Sequence, residues 1–342
     1  MIKFKYEGKG FQGRPSENLP YSQDQVLSML RSMLRVRLLE EKIETIYHLD
    51  EMKTPVHLVI GQEAISTGCC EALRPEDHVY GTYRTHGNYI AKGGDLKKML
   101  SELYCRADGC VGSKGGSMHL LDKDAGFMGC SAIVSGILPI ATGAALSAKM
   151  LKQDRVTVVF FGEAGTEEGV LWESFNFAAL KKLPIIYICE NNFYAVCSPL
   201  ENRQPPGVDI YKKAESFGIK SRLVDGTNVL DVYDAVRDAS DHVRNGEGPY
   251  FIEARAYRWR GHGGVGDDSA SGYRDPKEVE AWKKYCPIET FYNYLGKCGM
   301  VDSQLRKEMT RQLTEEIEAA FEHGLKSPNP VKEDLATFVY CD

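Results

Sequence analysis

The sequence of 342 residues lacks the signals of a disulfide framework, a thiol metal site, a nucleic-acid surface and a membrane span. Its ten cysteines include no C-x-x-C pair and no regular spacing, so we expect free thiols that behave as small apolar side chains. It has no basic run that could follow phosphates, and its net charge is -6, which disfavours a nucleic-acid partner. The most apolar long stretch, 133–146, is too short to span a bilayer, so we expect no membrane partner.

The amino-terminal end also lacks the apolar segment of a secretory signal, which favours a cytoplasmic protein. Residues 1–20 are polar and rich in Gly, Pro and Asn, and they predict an arm. No repeat or low-complexity linker divides the remainder. We therefore expect residues 21–342 to form a single domain, and an apolar content of 43% suits a globular enzyme.

What the sequence does contain is an alternation of apolar runs with helical patterns. The clearest unit spans 156–189, where VTVVFF and IIYIC predict buried strands. Between them, 167–182 predicts a helix with acids in its first turn and lysines in its last. Such a unit usually joins parallel neighbours. Helical patterns also cover 22–49 and 303–325. The sequence thus predicts an α/β fold with a mostly parallel sheet flanked by helices.

Both predicted strands run directly into polar residues. The first continues as GEAGTEEG, with Glu163 at the strand end, and the second as ENN, with Asn192. Because ligands bind beyond the carboxyl ends of parallel strands, we expect both side chains to face one crevice. A carboxylate and an amide, completed by a backbone carbonyl and ligand phosphates, suit Mg²⁺. Gly162, Ala164 and Gly165 would let the backbone approach a diphosphate at the helix N-terminus.

Two other interpretations of this turn stay open on these residues alone. A dinucleotide site with Glu190 as the ribose ligand needs G-x-G-x-x-G, whereas the turn reads G-x-x-G-x-x-x-G. A glycine-rich turn can also serve only to connect a strand to a helix. Other motifs are needed to choose between them.

Six motifs occur in a fixed order over about residues 22–335. This order resembles the α chain of the thiamine-diphosphate-dependent 2-oxo acid dehydrogenases, the decarboxylating components of the pyruvate, acetoin and branched-chain complexes. The resemblance implies the thiamine-diphosphate-binding fold, thiamine diphosphate and Mg²⁺ as cofactors, and a small 2-oxo acid, pyruvate-like or acetoin-related, as substrate. The motifs are HLVIGQEA, GTYRTHG, GSKGGSMH, GEAGTEEG, CENNFYA and YRWRGHGG.

The resemblance also assigns metal ligands. Glu163 and Asn192 match the two side-chain ligands of the family, and the backbone carbonyl of Tyr194 would be the third. Ala164 departs from the family pattern, which usually has glycine there. An alanine fits this position if its φ is negative.

The residues matched to the cofactor come from three motifs. Tyr83 and Arg84 match the pair that holds the diphosphate, and Arg258 resembles a second phosphate ligand. Arginine suits this purpose because its planar guanidinium donates two parallel hydrogen bonds to phosphate oxygens. Ala132 and Val134 fall where the main chain of the family contacts the aminopyrimidine ring.

Two histidines are the candidates for chemistry. His262, in RGHGG, matches the histidine near the reactive carbon of the cofactor, and His57 resembles the one that faces the substrate. Histidine titrates near neutrality and can orient a carboxylate or move protons. His86 and His119 are expected to shape the site. Gly263 stands where animal relatives carry a phosphorylated serine, so that switch is absent.

The segment GHGGVGDDSASGYR, rich in Gly, Ser and Asp, is expected to be a mobile loop that orders over bound cofactor. Tyr273 and Arg274 close it and match a Tyr-Arg pair of the family. The resemblance also implies a glutamate that contacts the aminopyrimidine from a separate β chain.

We therefore expect a heterotetramer of two α and two β chains, and a lipoylated acyltransferase that accepts the acyl unit. Two alternatives stay open. One is a carboligase or transketolase-like enzyme without a lipoyl partner. The other is a non-catalytic α-like subunit, against which the retained candidate ligands argue.

Overall fold

One six-stranded sheet organises the chain, as seen in a computed structural model that describes residues 10–337 except 12, 18, 269 and 270. The strands are all parallel, in the order β2-β1-β3-β4-β6-β5. The predicted α/β fold with a parallel sheet is confirmed, as is the pairing of β3 with β4. The strands are β1 His78–Thr82, β2 Phe127–Ser131, β3 Thr157–Gly162, β4 Ile185–Asn191, β5 Lys220–Asp225 and β6 Tyr250–Arg255.

Helices cover both faces of the sheet. The predicted first helix is confirmed and begins after Ser22, whose hydroxyl accepts a hydrogen bond from the Gln25 N–H at 3.2 Å. The predicted helix near the carboxyl end is confirmed as well. The helices are α1 Gln23–Ile46, α2 Glu63–Glu71, α3 His86–Ala91, α4 Leu96–Leu103, α5 Ile137–Met150, α6 Gly169–Lys181, α7 Ile210–Glu215, α8 Val229–Arg244, α9 Pro276–Lys283, α10 Pro287–Lys297 and α11 Ser303–Lys326.

Strand β3 shows why the apolar run is continuous rather than alternating. Val158 and Phe160 belong to the core shared with α1, α2, α4 and α8. Val159 and Phe161 belong to the core shared with α5, α6 and α7 on the opposite face. A parallel strand that is buried on both faces must be apolar at successive positions.

The start of the helix after β3 differs from the prediction. A 3₁₀ helix, Glu163–Glu167, follows the strand, and α6 begins only at Gly169. The Thr166 hydroxyl donates a hydrogen bond to the Glu163 carbonyl at 2.7 Å, and Glu168 is extended. Because this side-chain bond closes a separate tight turn, the expected acids do not lie in the first turn of α6.

The described part of the amino-terminal segment packs against the domain. Arg14 donates a hydrogen bond to Asp231 on α8 at 2.8 Å, and Phe11 stacks on Tyr294 of α10 with ring centroids 4.8 Å apart. Residues 1–9 of the predicted arm lie outside the described residues. Within the described part of the chain, no helix combines the length and apolar character that crossing a membrane requires.

Candidate functional site

The carboxyl ends of five strands bring the predicted site residues to one edge of the sheet. The chain leaves β1 for β2 on one side of it and returns to β3 on the other, so a topological switch point lies between β1 and β3. Ligands of open α/β sheets bind at such a point. The residues that follow the strands are Tyr83 and Arg84 after β1, Ala132 and Val134 after β2, Glu163 after β3, Asn192 and Tyr194 after β4, and Arg258 after β6.

Glu163 is buried at the end of β3 and faces a cation. Its carboxylate accepts a hydrogen bond from the Arg203 guanidinium at 2.6 Å. Burial raises the pKa of Glu163, and Arg203 partly offsets this shift. Arg203 also pairs with Glu167. The strand end thus holds a buried anion whose counter-charge comes from the loop after β4.

Asn192 lies on the neighbouring strand end, with its amide orientation set by two partners. Its Nδ2 donates a hydrogen bond to the Gln62 Oε1 at 3.1 Å, and its Oδ1 accepts one from the Tyr194 N–H at 3.3 Å. The Tyr194 hydroxyl donates to Glu278 of α9 at 2.6 Å. Gln62 therefore fixes which end of the Asn192 amide is the acceptor, and Glu278 anchors the residue whose carbonyl is the third predicted ligand.

The glycine-rich turn accommodates the departure from the family pattern. Ala164 is not among the residues with positive φ, so its side chain brings no backbone strain. A Cβ on Gly162 would meet nothing within 4 Å. A Cβ on Gly165 would lie 2.8 Å from the Ser135 hydroxyl, which donates to the Gly165 carbonyl at 3.0 Å. Gly165 is therefore required by packing against the loop after β2, whereas Gly162 lies in open space.

Arg84 connects the two segments that carry the candidate histidines. Its guanidinium donates to the Leu58 carbonyl at 2.6 Å and to the His262 carbonyl at 2.7 Å. Burial and, secondarily, the charge of Arg258 lower the pKa of Arg84 to about 10. The Arg84 guanidinium therefore remains a cation at neutral pH.

Arg258 is held by an acid that sequence reasoning missed. Its guanidinium donates to Asp268 at 2.9 Å and to the Tyr273 hydroxyl at 2.9 Å. The same carboxylate pairs with Arg274 at 2.7 Å and accepts from the His262 N–H at 3.0 Å. Although burial acts in the opposite direction, hydrogen bonds from Tyr273 and Arg258 hold the pKa of Asp268 below its ordinary value. The contacts of Asp268 thus connect the predicted loop to Arg258.

The mobility of this loop stays a prediction, and its residues Ser269 and Ala270 lie outside the described part of the chain.

His57, His262 and Tyr83 form an aromatic triangle. The ring centroids of the two histidines are 5.3 Å apart, and Tyr83 lies 4.7 Å from His57 and 5.5 Å from His262. Burial and the charge of Arg84 lower the pKa of His57 to about 3. The same two causes lower the pKa of His262 to about 4. Both predicted histidines are therefore neutral at pH 7.

Ala132 and Val134 lie at an open, apolar rim. The Ala132 N–H donates to the His119 Nε2 at 3.4 Å. Val134 is 42% exposed and Ile133 is 73% exposed. His86, by contrast, is fully buried, with its ring nitrogens near Glu40 and Ser117, which agrees with a shaping rather than a reacting residue.

The buried carboxylate of Glu102 organises the GSKGGSMH motif. It accepts backbone hydrogen bonds from Val111 at 3.1 Å and Ser113 at 2.9 Å on one oxygen. The other oxygen accepts from Gly115 at 2.8 Å and Gly116 at 3.0 Å. A single carboxylate therefore satisfies four N–H groups of this loop, which lies beside the candidate site.

Sequence reasoning missed several polar residues of this region. Gln62 lies inside one of the six motifs, so its position was the available signal, whereas Glu190 was considered only as the ribose ligand of the dinucleotide alternative. Glu190 is buried, its Oε1 has no hydrogen-bond partner among the described residues, and burial raises its pKa to about 8. No local pattern marks Arg203 or Glu102 as special, and the only signal for Asp268 was its place in the loop rich in Gly, Ser and Asp.

The described residues contain no group of three or more His, Cys, Asp or Glu side chains that could hold a metal ion. The nine cysteines in the described ranges are free, as expected, and Cys341 lies outside them.

Comparison with known proteins shows the family of the chain. The Dehydrogenase E1 component family matches residues 31–332. The chain belongs to this family. Members of the Dehydrogenase E1 component family use thiamine diphosphate, so membership implies this cofactor and confirms both the resemblance and the enzyme class inferred from the six motifs.

Curated relatives of this E1-type chain match over nearly its whole length. The α subunit of acetoin:2,6-dichlorophenolindophenol oxidoreductase from Bacillus subtilis is 35% identical over 95% of this chain and 96% of its own. The pyruvate dehydrogenase E1 component subunit α of Rickettsia bellii is 35% identical over 93% of this chain and 96% of its own. The chloroplastic α-3 subunit of the Arabidopsis thaliana enzyme is 35% identical over 97% of this chain and 78% of its own.

Proposed function

We propose that the chain is the α subunit of a thiamine-diphosphate- and Mg²⁺-dependent 2-oxo acid dehydrogenase. It would decarboxylate a 2-oxo acid, pyruvate-like or acetoin-related, and pass the acyl unit to a lipoylated acyltransferase. The observation that carries the proposal is the convergence of a buried carboxylate, an oriented amide and two buried arginines at one switch point. The residues are Glu163, Asn192, Arg84 and Arg258.

The residues fit the metal. Mg²⁺ takes hard oxygen ligands and few protein side chains, and it shares phosphate oxygens. Glu163 already holds a cation at 2.6 Å, and Gln62 orients the Asn192 amide by accepting from its nitrogen. We assign Glu163, Asn192 and the Tyr194 carbonyl as ligands.

The residues also fit a diphosphate. Tyr83, Arg84 and Arg258 would hold it, because two buried guanidinium groups supply charge and directional donors in a site shielded from water. Gly162 and Ala164 would let the backbone approach, with Gly165 fixing the turn through Ser135. When bound, thiamine diphosphate supplies the carbon centre that stabilises charge during decarboxylation.

The two neutral histidines would act on the substrate. A neutral imidazole can donate one N–H and accept a proton at its other nitrogen. The Nδ1 atom of His57 has no partner among the described residues, so it is available for this. We propose that His57 orients the 2-oxo acid carboxylate and that His262 holds or moves a proton beside the reacting carbon, while Ala132 and Val134 contact the aminopyrimidine.

The exposed apolar rim supports a partner chain. Ile133 is 73% exposed and Ile140 on α5 is 58% exposed, beside the proposed aminopyrimidine contacts. Contiguous exposed apolar side chains commonly mark an interface. We propose that a β subunit covers this rim in a heterotetramer of two α and two β chains. We also propose that residues 21–342 form one domain and that the complex is cytoplasmic.

Co-expression with a β-type partner tests the proposal. The purified complex would be assayed for decarboxylation of pyruvate and branched 2-oxo acids and for cleavage of acetoin, with an artificial electron acceptor. We expect acceptor reduction that requires both thiamine diphosphate and Mg²⁺. Formation of new carbon–carbon bonds without acceptor reduction would indicate a carboligase instead, and no cofactor uptake would indicate a non-catalytic subunit.

A further inference from the structure

The guanidinium of Arg203 pairs with Glu163, the carboxylate proposed as a metal ligand. The Arg203 side chain is 11% exposed and contacts Glu163, itself 2% exposed, at 2.6 Å. Neither the six motifs nor the comparisons assign Arg203 any part in the site. The contact matters because a guanidinium and a divalent metal ion compete for the same carboxylate.

The guanidinium is held at Glu163 by several contacts. It pairs with Glu167, and its Nε donates to the Ser198 carbonyl at 3.2 Å. The next residue, Gln204, donates to the Thr166 hydroxyl at 3.2 Å and to Glu167 at 3.2 Å. The loop after β4 is thus fastened across the turn after β3 by its polar side chains.

We propose that Arg203 is the resident cation of Glu163 when no metal is bound, and that it must leave this carboxylate for the metal to bind. Metal uptake then depends on the cofactor, because the diphosphate brings the negative charge that compensates for two neighbouring cations. This inference rests on the proposed function and adds the order in which that site fills.

The charges around Glu163 support this dependence. Without a diphosphate, an incoming divalent ion meets the guanidinium of Arg203 at the same buried carboxylate, where repulsion is poorly screened. Arg84 and Arg258 add further positive charge at the same edge of the sheet. Nearby acids compensate only in part, because Glu167 already pairs with Arg203 and Asp268 is shared between Arg258 and Arg274.

The test measures the affinity of the protein for Mn²⁺, which serves as a magnetic probe for Mg²⁺. The concentration of free Mn²⁺ is followed by electron paramagnetic resonance. The full chain, co-purified with its β-type partner, is compared with Arg203→Gln, each with and without thiamine diphosphate. Without the cofactor we expect Arg203→Gln to bind Mn²⁺ at least roughly tenfold more tightly, because a competing cation is removed. With the cofactor we expect the difference to shrink to less than about threefold.

Two further variants guard against a misfolded protein. Glu167→Gln leaves Glu163 and Arg203 in place but removes one anchor of the guanidinium, so it should tighten Mn²⁺ binding in the same direction by a smaller factor. Arg244→Gln removes a buried ion pair with Asp77 and should leave Mn²⁺ affinity unchanged. Arg244 lies at the end of α8, away from the carboxyl edge of the sheet.

The outcomes separate the two proposals. Cofactor-dependent Mn²⁺ uptake with equal affinity in the wild type and Arg203→Gln overturns the inference and leaves the proposed function standing. Weaker binding in Arg203→Gln also overturns it, because Arg203 would then position the carboxylate rather than compete for it. No uptake by either protein, with or without cofactor, contradicts both.

Discussion

The imidazole rings of His57 and His262 meet edge to face, with centroids 5.3 Å apart. Such closeness would be unfavourable for two cations, and burial together with Arg84 lowers the pKa of His57 to about 3 and that of His262 to about 4. Both rings are therefore neutral at the pH of most cells. Two neutral rings avoid the cost of placing two like charges side by side.

This neutrality predicts a particular loss of stability in acid. Histidine in an unfolded chain titrates near about 6.5. Below that pH the unfolded state binds a proton that the folded state does not bind. The free energy of unfolding therefore decreases as the pH falls from about 6.5 to about 4 because of His262, and this effect is absent above about pH 6.5. For each histidine, the free energy of unfolding should change by less than about 1.4 kcal/mol per pH unit, because solvent screens part of the effect.

The measurement is the urea midpoint of the wild type and of His262→Gln between pH 7 and pH 4.5. Glutamine does not titrate, so we expect the variant to lose less stability over this range. Parallel curves for the two proteins would contradict the lowered pKa.

Glu163→Gln should abolish metal-dependent cofactor binding. The amide keeps the shape of the side chain but removes the only carboxylate of the proposed ligand set, so we expect affinity for thiamine diphosphate in Mg²⁺ to fall at least roughly a hundredfold. Isothermal titration of the assembled complex measures this. Glu168→Gln, an exposed neighbour, is the matched control and should bind normally. Equal binding by both variants would remove Glu163 from the metal site.

Asp268→Asn should release the loop that covers Arg258. The substitution leaves Arg258 and Arg274 buried without their shared counter-charge, and breaking a buried ion pair costs up to about 3–5 kcal/mol. We expect faster proteolysis within residues 261–274 and a lower melting temperature. The control is Asp238→Asn, which breaks the exposed pair with Arg222 and should cost less than about 1 kcal/mol. Unchanged cleavage rates would show that other contacts hold the loop.

Glu102→Gln should loosen the GSKGGSMH motif. The new amide nitrogen would face backbone N–H groups that now donate to a carboxylate oxygen, at a cost of at least about 2 kcal/mol. Urea unfolding measures this, with Glu322→Gln on the exposed face of α11 as the control. Hydrogen exchange of residues 110–117 should also rise. A variant as stable as the wild type would mean that the loop is held by its other contacts.

The sequence predicted the architecture of the site because two simple physical patterns encode it. The apolar run of β3 is continuous since both faces are buried, and a helical connection between two such runs makes the strands parallel. Polar residues directly after strands must then meet at one edge. Glu163 after β3 and Asn192 after β4 follow this rule.

What the sequence did not predict are contacts made by long polar side chains from distant segments. Arg203 reaches Glu163 from a loop without a motif, and Glu102 reaches its loop from the end of α4. Neither has a periodicity or spacing that differs from a solvated surface residue. The start of α6 was wrong for a related reason, since one hydroxyl of Thr166 closes a separate turn.

Arg84 donates to two carbonyls, those of Leu58 and His262, and so connects the segment before α2 with the loop after β6. A substitution there would disturb both imidazoles at once, besides removing a proposed phosphate donor. Kinetic losses in an Arg84 variant will therefore mix defects in anion capture with defects in ring alignment. Only paired substitutions, with His57 or His262 as the second site, can apportion them.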